Sequence, residues 1–179
     1  LVIKFTQASH VKPFKVIVEP QILNEYFDAM VEEILKHNGV LDKYIGDAIM
    51  AFWGAPIDDP HHADNALKAS LGMAEALEKL NKSFMERGLS EIKNGVGLYS
   101  GPAIVGNVGA RQRFDYTVIG DTVNVASRLE GLCKNYGRTI IVGETTKQLL
   151  KEKYDGLEEI DVAHVKGRVE PIKIYSLKN

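Results

Sequence analysis

A chain of 179 residues, 45% hydrophobic and 26% charged, is long enough to bury a core without disulfides or a structural metal and reads as one domain over 1–179. Its net charge of -2 excludes a broad electrostatic footprint for nucleic acid, and its lone cysteine, Cys133, excludes an internal disulfide and a cysteine-based zinc site. No run approaches the roughly 18 to 20 apolar residues that span a bilayer, and no signal-peptide pattern opens the chain. The expected location is therefore cytoplasmic, alone or as the cytosolic part of a larger or membrane-tethered protein, with no membrane contact from this chain itself.

In chain order, Gln21 to Lys36 carries apolar residues at helical spacing between Pro20 and Gly39. Val40 to Ile45 and Ala48 to Trp53 flank Gly46-Asp47, a dipeptide suited to a two-residue hairpin loop. A second helix is predicted from about His61 to Glu86 and strands over Gly95 to Tyr99 and Ala103 to Val108. A polar loop at Ala110 to Arg113 precedes a strand at Phe114 to Ile119. Asp121 is a good N-cap for a third helix reaching about Tyr136. A strand at Thr139 to Val142, a small helix at Glu144 to Lys153 and strands at Leu157 to Val165 and Ile172 to Leu177 complete the series. Interleaved helices with frequent hairpins favour an α+β sheet with helices on one face.

Three stretches place polar residues in apolar surroundings. In the first, Asp42 to Ala51, a carboxylate at a tight turn, Asp47, suits Mg²⁺ held jointly with substrate phosphates, although Asp also simply tolerates turns. In the second, Arg113 to Arg128, a helix beginning after Asp121 puts Asn124 and Arg128 four apart on one face. There a carboxamide and a guanidinium could grip ribose and phosphate, or merely face solvent. The third is the basic turn Val165-Lys166-Gly167-Arg168. Gly101 to Gly109 lacks the order of either a P-loop or a dinucleotide loop and reads as turns between strands. His61-His62 reads as a helix start, because adjacent residues do not share a helical face.

Taken in order, Asn24 to Phe27, Asp42 to Asp47 continuing to Phe52-Trp53-Gly54-Ala55-Pro56, Gly101 to Gly109, Phe114 to Leu129 and Val165 to Pro171 resemble the class III adenylate and guanylate cyclase catalytic domain. The resemblance covers the chain from near Ile22 to its end. It implies a ferredoxin-like βαββαβ core with additional strands and helices, and active sites at the interface of an antiparallel homodimer. The implied reaction is attack of the ribose 3′-oxygen on the α-phosphate with loss of pyrophosphate, assisted by two ions of Mg²⁺ or Mn²⁺. By the same resemblance Asp47 binds metal from one protomer. The partner contributes Asn124 to orient the ribose, Arg128 to stabilise charge on the reacting phosphoryl group, and Lys166, with Arg168 as the alternative, to hold the terminal phosphates.

Lys43 and Thr117 occupy the positions resembling the family's base-reading pair. An ammonium and a hydroxyl match the N1 acceptor and N6 donor of adenine, whereas guanine sets a donor against the lysine, so ATP is the expected substrate and adenylate cyclase the expected enzyme. A catalytically silent cyclase-like regulatory domain and a guanylate cyclase are the alternatives, and regulatory domains are expected outside this chain. The family's first metal carboxylate, in a Phe-x-Asp-Ile-x-Gly-Phe-Thr pattern, has no counterpart. Leu1 or Gln7 falls there, depending on alignment, and no Asp or Glu precedes Glu19. A chain that begins short of that carboxylate, or lacks residues near it, is favoured over its genuine loss.

Overall fold

The computed structural model describes residues 2–8, 20–165 and 170–177, the first stretch by its backbone alone. The elements run β1 (Val2–Ala8), α1 (Pro20–Lys36), β2 (Val40–Ile45), β3 (Ala48–Phe52), α2 (His62–Glu86), β4 (Lys93–Tyr99), β5 (Ile104–Ala110), β6 (Arg113–Ile119), α3 (Asp121–Tyr136), β7 (Ile140–Gly143), α4 (Glu144–Leu149), β8 (Leu157–Ala163) and β9 (Ile172–Leu177). Strands order as β2-β3-β1-β4-β7-β9-β8 in one sheet, while β5 and β6 form a separate two-stranded arm. With β1 antiparallel to both β3 and β4, the first four strands with α1 and α2 make the expected ferredoxin-like βαββαβ core, extended at one edge by β7, β9 and β8.

Local sequence explains the elements. On α1, Tyr26, Met30 and Ile34 recur every four residues and are wholly buried, a stripe that faces the sheet. All five residues of β3 are buried, as befits a strand covered on both faces. Ile49 and Ala51 join the core beneath α1 and α2, whereas Met50 and Phe52 join a second core with Val125, Ala126 and Leu129 of α3. The expectation of helices on one face therefore holds for α1 and α2 and fails for α3, which covers the opposite face. An amphipathic pattern reveals that a helix has a buried side, not which side of a sheet receives it.

Several boundaries also differ, three of them for visible reasons. Gly120, at φ 151°, is the N-cap of α3, with Asp121 already in the first turn; the acid there favours the helix through its dipole rather than through a cap bond. The polar loop shrinks to a two-residue turn, so β5 and β6 pair in register from Ile104 with Ile119 to Ala110 with Arg113. The small helix stops at Leu149 because the buried Asp64 carboxylate accepts from the amides of Lys151 and Glu152, at 3.1 to 3.2 Å, and draws the chain away.

The seating of α3 on β4 leaves no room for a side chain. A Cβ on Gly97 would lie 2.2 Å from the carbonyl oxygen of Ala126 and 2.4 Å from the amide nitrogen of Glu130, and backbone cannot swing aside. Gly97→Ala should cost about 3 kcal/mol in denaturant unfolding, at the upper end of overpacking penalties. A change below about 0.5 kcal/mol would mean that α3 is not held against the strand in this way.

Candidate active site

Asp47 stands half-buried in the turn between β2 and β3. Of its two turn residues only Gly46 has positive φ, 62°, the pattern of a hairpin turn with glycine at its first central position. The charge of Asp47 is felt inside the core: burial pushes the Tyr26 phenol up to about 12, a hydrogen bond from Asn94 opposes the rise, and Asp47 and Glu130 add to it. Lys4 of β1 lies opposite Met50, so β1 runs toward this turn, and its sequence VIKFTQA offers no carboxylate. Among the described residues no group of three or more His, Cys, Asp or Glu side chains could hold a metal ion. This donor set fits one Mg²⁺-like ion shared between a carboxylate and substrate phosphates, and β1 adds no second carboxylate.

A feature absent from the sequence reading lies five residues upstream. The β2–β3 register slips between Leu41 and Lys43, leaving Asp42 as the extra residue of a β-bulge. Bulges re-aim side chains, and this one drives the Asp42 carboxylate, fully buried as a side chain, under the arm. Its Oδ2 accepts from the Thr117 hydroxyl at 2.7 Å and from the Val118 amide at 3.2 Å. Its Oδ1 has no hydrogen-bond partner and lies 3.4 Å from the Lys43 ammonium. Lys43 on β2 and Thr117 on β6, 74 positions apart in sequence, thus meet around one carboxylate. The signal was present in the sequence as a charge inside a β-forming run, and only burial shows its use.

Asn124 and Arg128 lie one turn apart on α3, behind the Gly120 N-cap. Asn124 is exposed; Arg128 is half-buried, and its buried Nη1 lacks a hydrogen-bond partner among the described residues. A desolvated guanidinium nitrogen is costly unless an anion answers it. No hydrogen bond or ion pair among the described residues joins Asn124 or Arg128 to Asp47, Lys43 or Thr117. Lys166 and Arg168 fall outside the described residues. His61 and His62 have the expected helix-start role: the His61 amide donates to the Asp59 carboxylate at 2.8 Å, and a His62 ring nitrogen lies 2.8 Å from the Asp59 carbonyl oxygen. A cavity of about 870 Å³ between α2, the start of β4 and the C-terminal half of α3 shares no lining residue with these groups.

The family model for the adenylate and guanylate cyclase catalytic domain matches residues 2–179, and the chain belongs to that family. It is 42% identical to an adenylate cyclase of Anabaena cylindrica over 164 residues, 88% of this chain and 32% of that protein. Among solved structures, the adenylyl cyclase CyaB from P. aeruginosa superposes with a TM-score of 0.85 at 27% identity, covering 99% of this chain and 92% of that one. The guanylyl cyclase Cya2 superposes with a TM-score of 0.81 at 26% identity, covering 98% and 89%. The chain spans less than a third of the length of the curated relatives it matches. No helix among the described residues is long and apolar enough to cross a membrane.

The unpartnered, buried Nη1 of Arg128 makes a stability prediction. Arg128→Met keeps the stem and removes the charge, so it should leave the unfolding free energy within about 1 kcal/mol of the parent chain or raise it. A loss above about 2 kcal/mol by thermal or chemical denaturation would mark Arg128 as a structural contact instead.

Proposed function

We propose that this chain converts ATP into 3′,5′-cyclic AMP and pyrophosphate as a homodimer, an adenylate cyclase working in the ATP-rich cytoplasm. The observation that carries the reading is the meeting of Lys43 and Thr117. An ammonium that only donates and a hydroxyl oxygen with lone pairs to offer match the N1 and N6 positions of adenine. Relatives named adenylate cyclase support the same substrate.

The chemistry asks for three things: the ribose 3′-oxygen aligned with the α-phosphate, the triphosphate neutralised, and charge on the reacting phosphoryl group met as it develops. Asn124 orients the ribose, and Arg128, whose Nη1 lacks a partner, meets the phosphoryl oxygens. Asp47 holds a divalent cation, Mg²⁺ or Mn²⁺, which when bound with the substrate phosphates supplies neutralisation and eases loss of the 3′-hydroxyl proton. Lys166 or Arg168 takes the terminal phosphates. Thr117 lies near the end of β6, four residues before α3 begins. By the family resemblance Asn124 and Arg128 come from one protomer and Asp47 from its partner. The arm supplies the contact surface. Ile104, Phe114, Tyr116 and Ile119 stand exposed on β5 and β6, Phe114 at 56%, and Tyr44 and Ile45 stand exposed on β2. Apolar patches of this kind on a small domain mark association surfaces.

Two features favour other readings. The acid-free β1 fits a silent nucleotide-binding domain, and the likeness to Cya2 fits GTP. Cyclic nucleotide production from ATP and GTP in parallel separates the three. Cyclic AMP formation that disappears in Asp47→Asn and falls roughly 10²-fold or more in Arg128→Ala, with folding retained, is the expected result. Cyclic GMP as main product, or none from a folded dimer, would favour the corresponding rival.

Sharing of the site has its own test. Asp47→Asn and Asn124→Ala chains, each inactive alone, should regain part of the activity when mixed, because one of the heterodimer's two sites then holds an intact set. Demonstrated heterodimers without recovered turnover would count against a shared site.

A further inference from the structure

We infer that Asp42 is the positioning residue behind purine selection: by accepting the hydrogen bond of the Thr117 hydroxyl, it leaves that oxygen able only to accept from a base. The inference rests on the reading of Lys43 and Thr117 as the base-reading pair. A threonine hydroxyl has one proton and two lone pairs and, free to rotate, serves as donor or acceptor. Such a residue does not by itself tell an N6 amino group from an O6 carbonyl. Here the hydroxyl lies 2.7 Å from Asp42 Oδ2, and a carboxylate only accepts, so the proton is committed to it. What remains for a ligand is lone-pair density. Lys43, 3.4 Å from the other oxygen of the same carboxylate, offers only donors.

The recognising edge therefore reads donor at Lys43 and acceptor at Thr117. Adenine, with an acceptor at N1 and donors at N6, complements both. Guanine, with N1–H and O6, opposes both. Without the carboxylate, Thr117 turns its proton toward O6 and one of the two mismatches disappears.

Fastening the arm does not account for a carboxylate in this place. The Val118 amide, which donates to Oδ2 at 3.2 Å, needs only a neutral acceptor. Burying a charge whose Oδ1 has no hydrogen bond and only the Lys43 ammonium, 3.4 Å away, to answer it is a more expensive way to provide one than a neutral acceptor. The bulge that spends an extra residue of β2 on Asp42 likewise interrupts pairing, and such interruptions gather beside sites where a side chain must be re-aimed.

The test compares the parent chain with Asp42→Ala, Thr117→Val and the double variant. ATP and GTP affinities are measured by displacement of a fluorescent ATP analogue, alongside turnover. In Asp42→Ala the ATP-to-GTP preference should fall about 10-fold or more, through weaker ATP and stronger GTP binding. In the Thr117→Val background the same substitution should change the preference little, because no hydroxyl remains to orient. An unchanged preference in Asp42→Ala, or an equal fall with and without the Thr117 hydroxyl, overturns the inference. A purely structural role would weaken both nucleotides alike. If Asp42→Ala fails to fold, inosine triphosphate on the parent chain decides, since it carries guanine's N1–H and O6 without the 2-amino group. The parent chain should reject it as it rejects GTP, and binding close to that of ATP overturns the inference. A parent chain that prefers GTP removes the adenylate reading and this inference together, whereas a parent chain that prefers ATP without turnover leaves the affinity test intact.

Discussion

The close seating of α3 on β4 is the constraint from which the rest of the site follows. With only a hydrogen at Gly97 between the strand and the helix backbone, α3 approaches β4 more closely than any side chain would allow. The helix carries Asn124 and Arg128, so their directions are set by the sheet rather than by a loop. Its N-cap, Gly120, directly follows β6, so the same seating also sets where the arm leaves the body and where Thr117 comes to rest. Asp42 then completes the lock from the other side, binding the Thr117 hydroxyl and the Val118 amide from β2. Two elements far apart in sequence are thereby held to one geometry without a covalent link.

The buried charges sort themselves by how well they are answered. The Asp64 carboxylate, wholly buried, accepts from two backbone amides and lies 3.3 Å from the Tyr154 hydroxyl. It raises the Tyr154 phenol above its ordinary range, after burial itself, and ends α4. Nothing about it calls for a ligand. Asp42 is half answered, with one oxygen hydrogen-bonded and the other met only by the Lys43 ammonium at 3.4 Å. Arg128 keeps a buried nitrogen without a partner. An unmet buried polar group costs free energy that mutation could recover, which sets Asp42 and Arg128 apart from the fully answered Asp64. Both fall beside residues that the family resemblance assigned to substrate.

Local pattern made most elements legible. The stripe Tyr26, Met30, Ile34 announced α1, Gly46-Asp47 announced the hairpin, and the four-residue spacing of Asn124 and Arg128 announced their shared face. What stayed hidden depends on contacts between distant segments. The choice of sheet face for α3 lies in Gly97 meeting Ala126 and Glu130, not in any periodicity of α3. The end of α4 at Leu149 lies in Asp64, more than eighty residues earlier. Asp42 was visible as a polar interruption in β2, yet its partner Thr117 is 75 positions away. Strand propensity cannot show a bulge, because the extra residue exists only relative to the opposing strand.

The two groups of candidate residues follow different structural logics, and the difference bears on how catalysis is controlled. Lys43, Thr117, Asn124 and Arg128 hang on elements tied together by the Gly97 seating and the Asp42 bonds, so each folded chain carries them ready-made. Asp47 sits on a hairpin tip, and among the described residues no bond joins it to them. If base and phosphate recognition are intrinsic to one chain while the metal-binding carboxylate is supplied across an interface, nucleotide affinity and turnover become separable quantities. Affinity is then set by folding and turnover by how two chains meet. In the proposed dimer the exposed apolar residues of β5 and β6 belong to the surface on which that meeting depends. Whatever shifts one chain against the other by about an ångström moves Asp47 relative to the phosphates and leaves purine recognition in place. Misplacement on that scale can cost about a hundredfold in rate, so on the proposed shared site a small change at the dimer interface would alter turnover far more than nucleotide affinity.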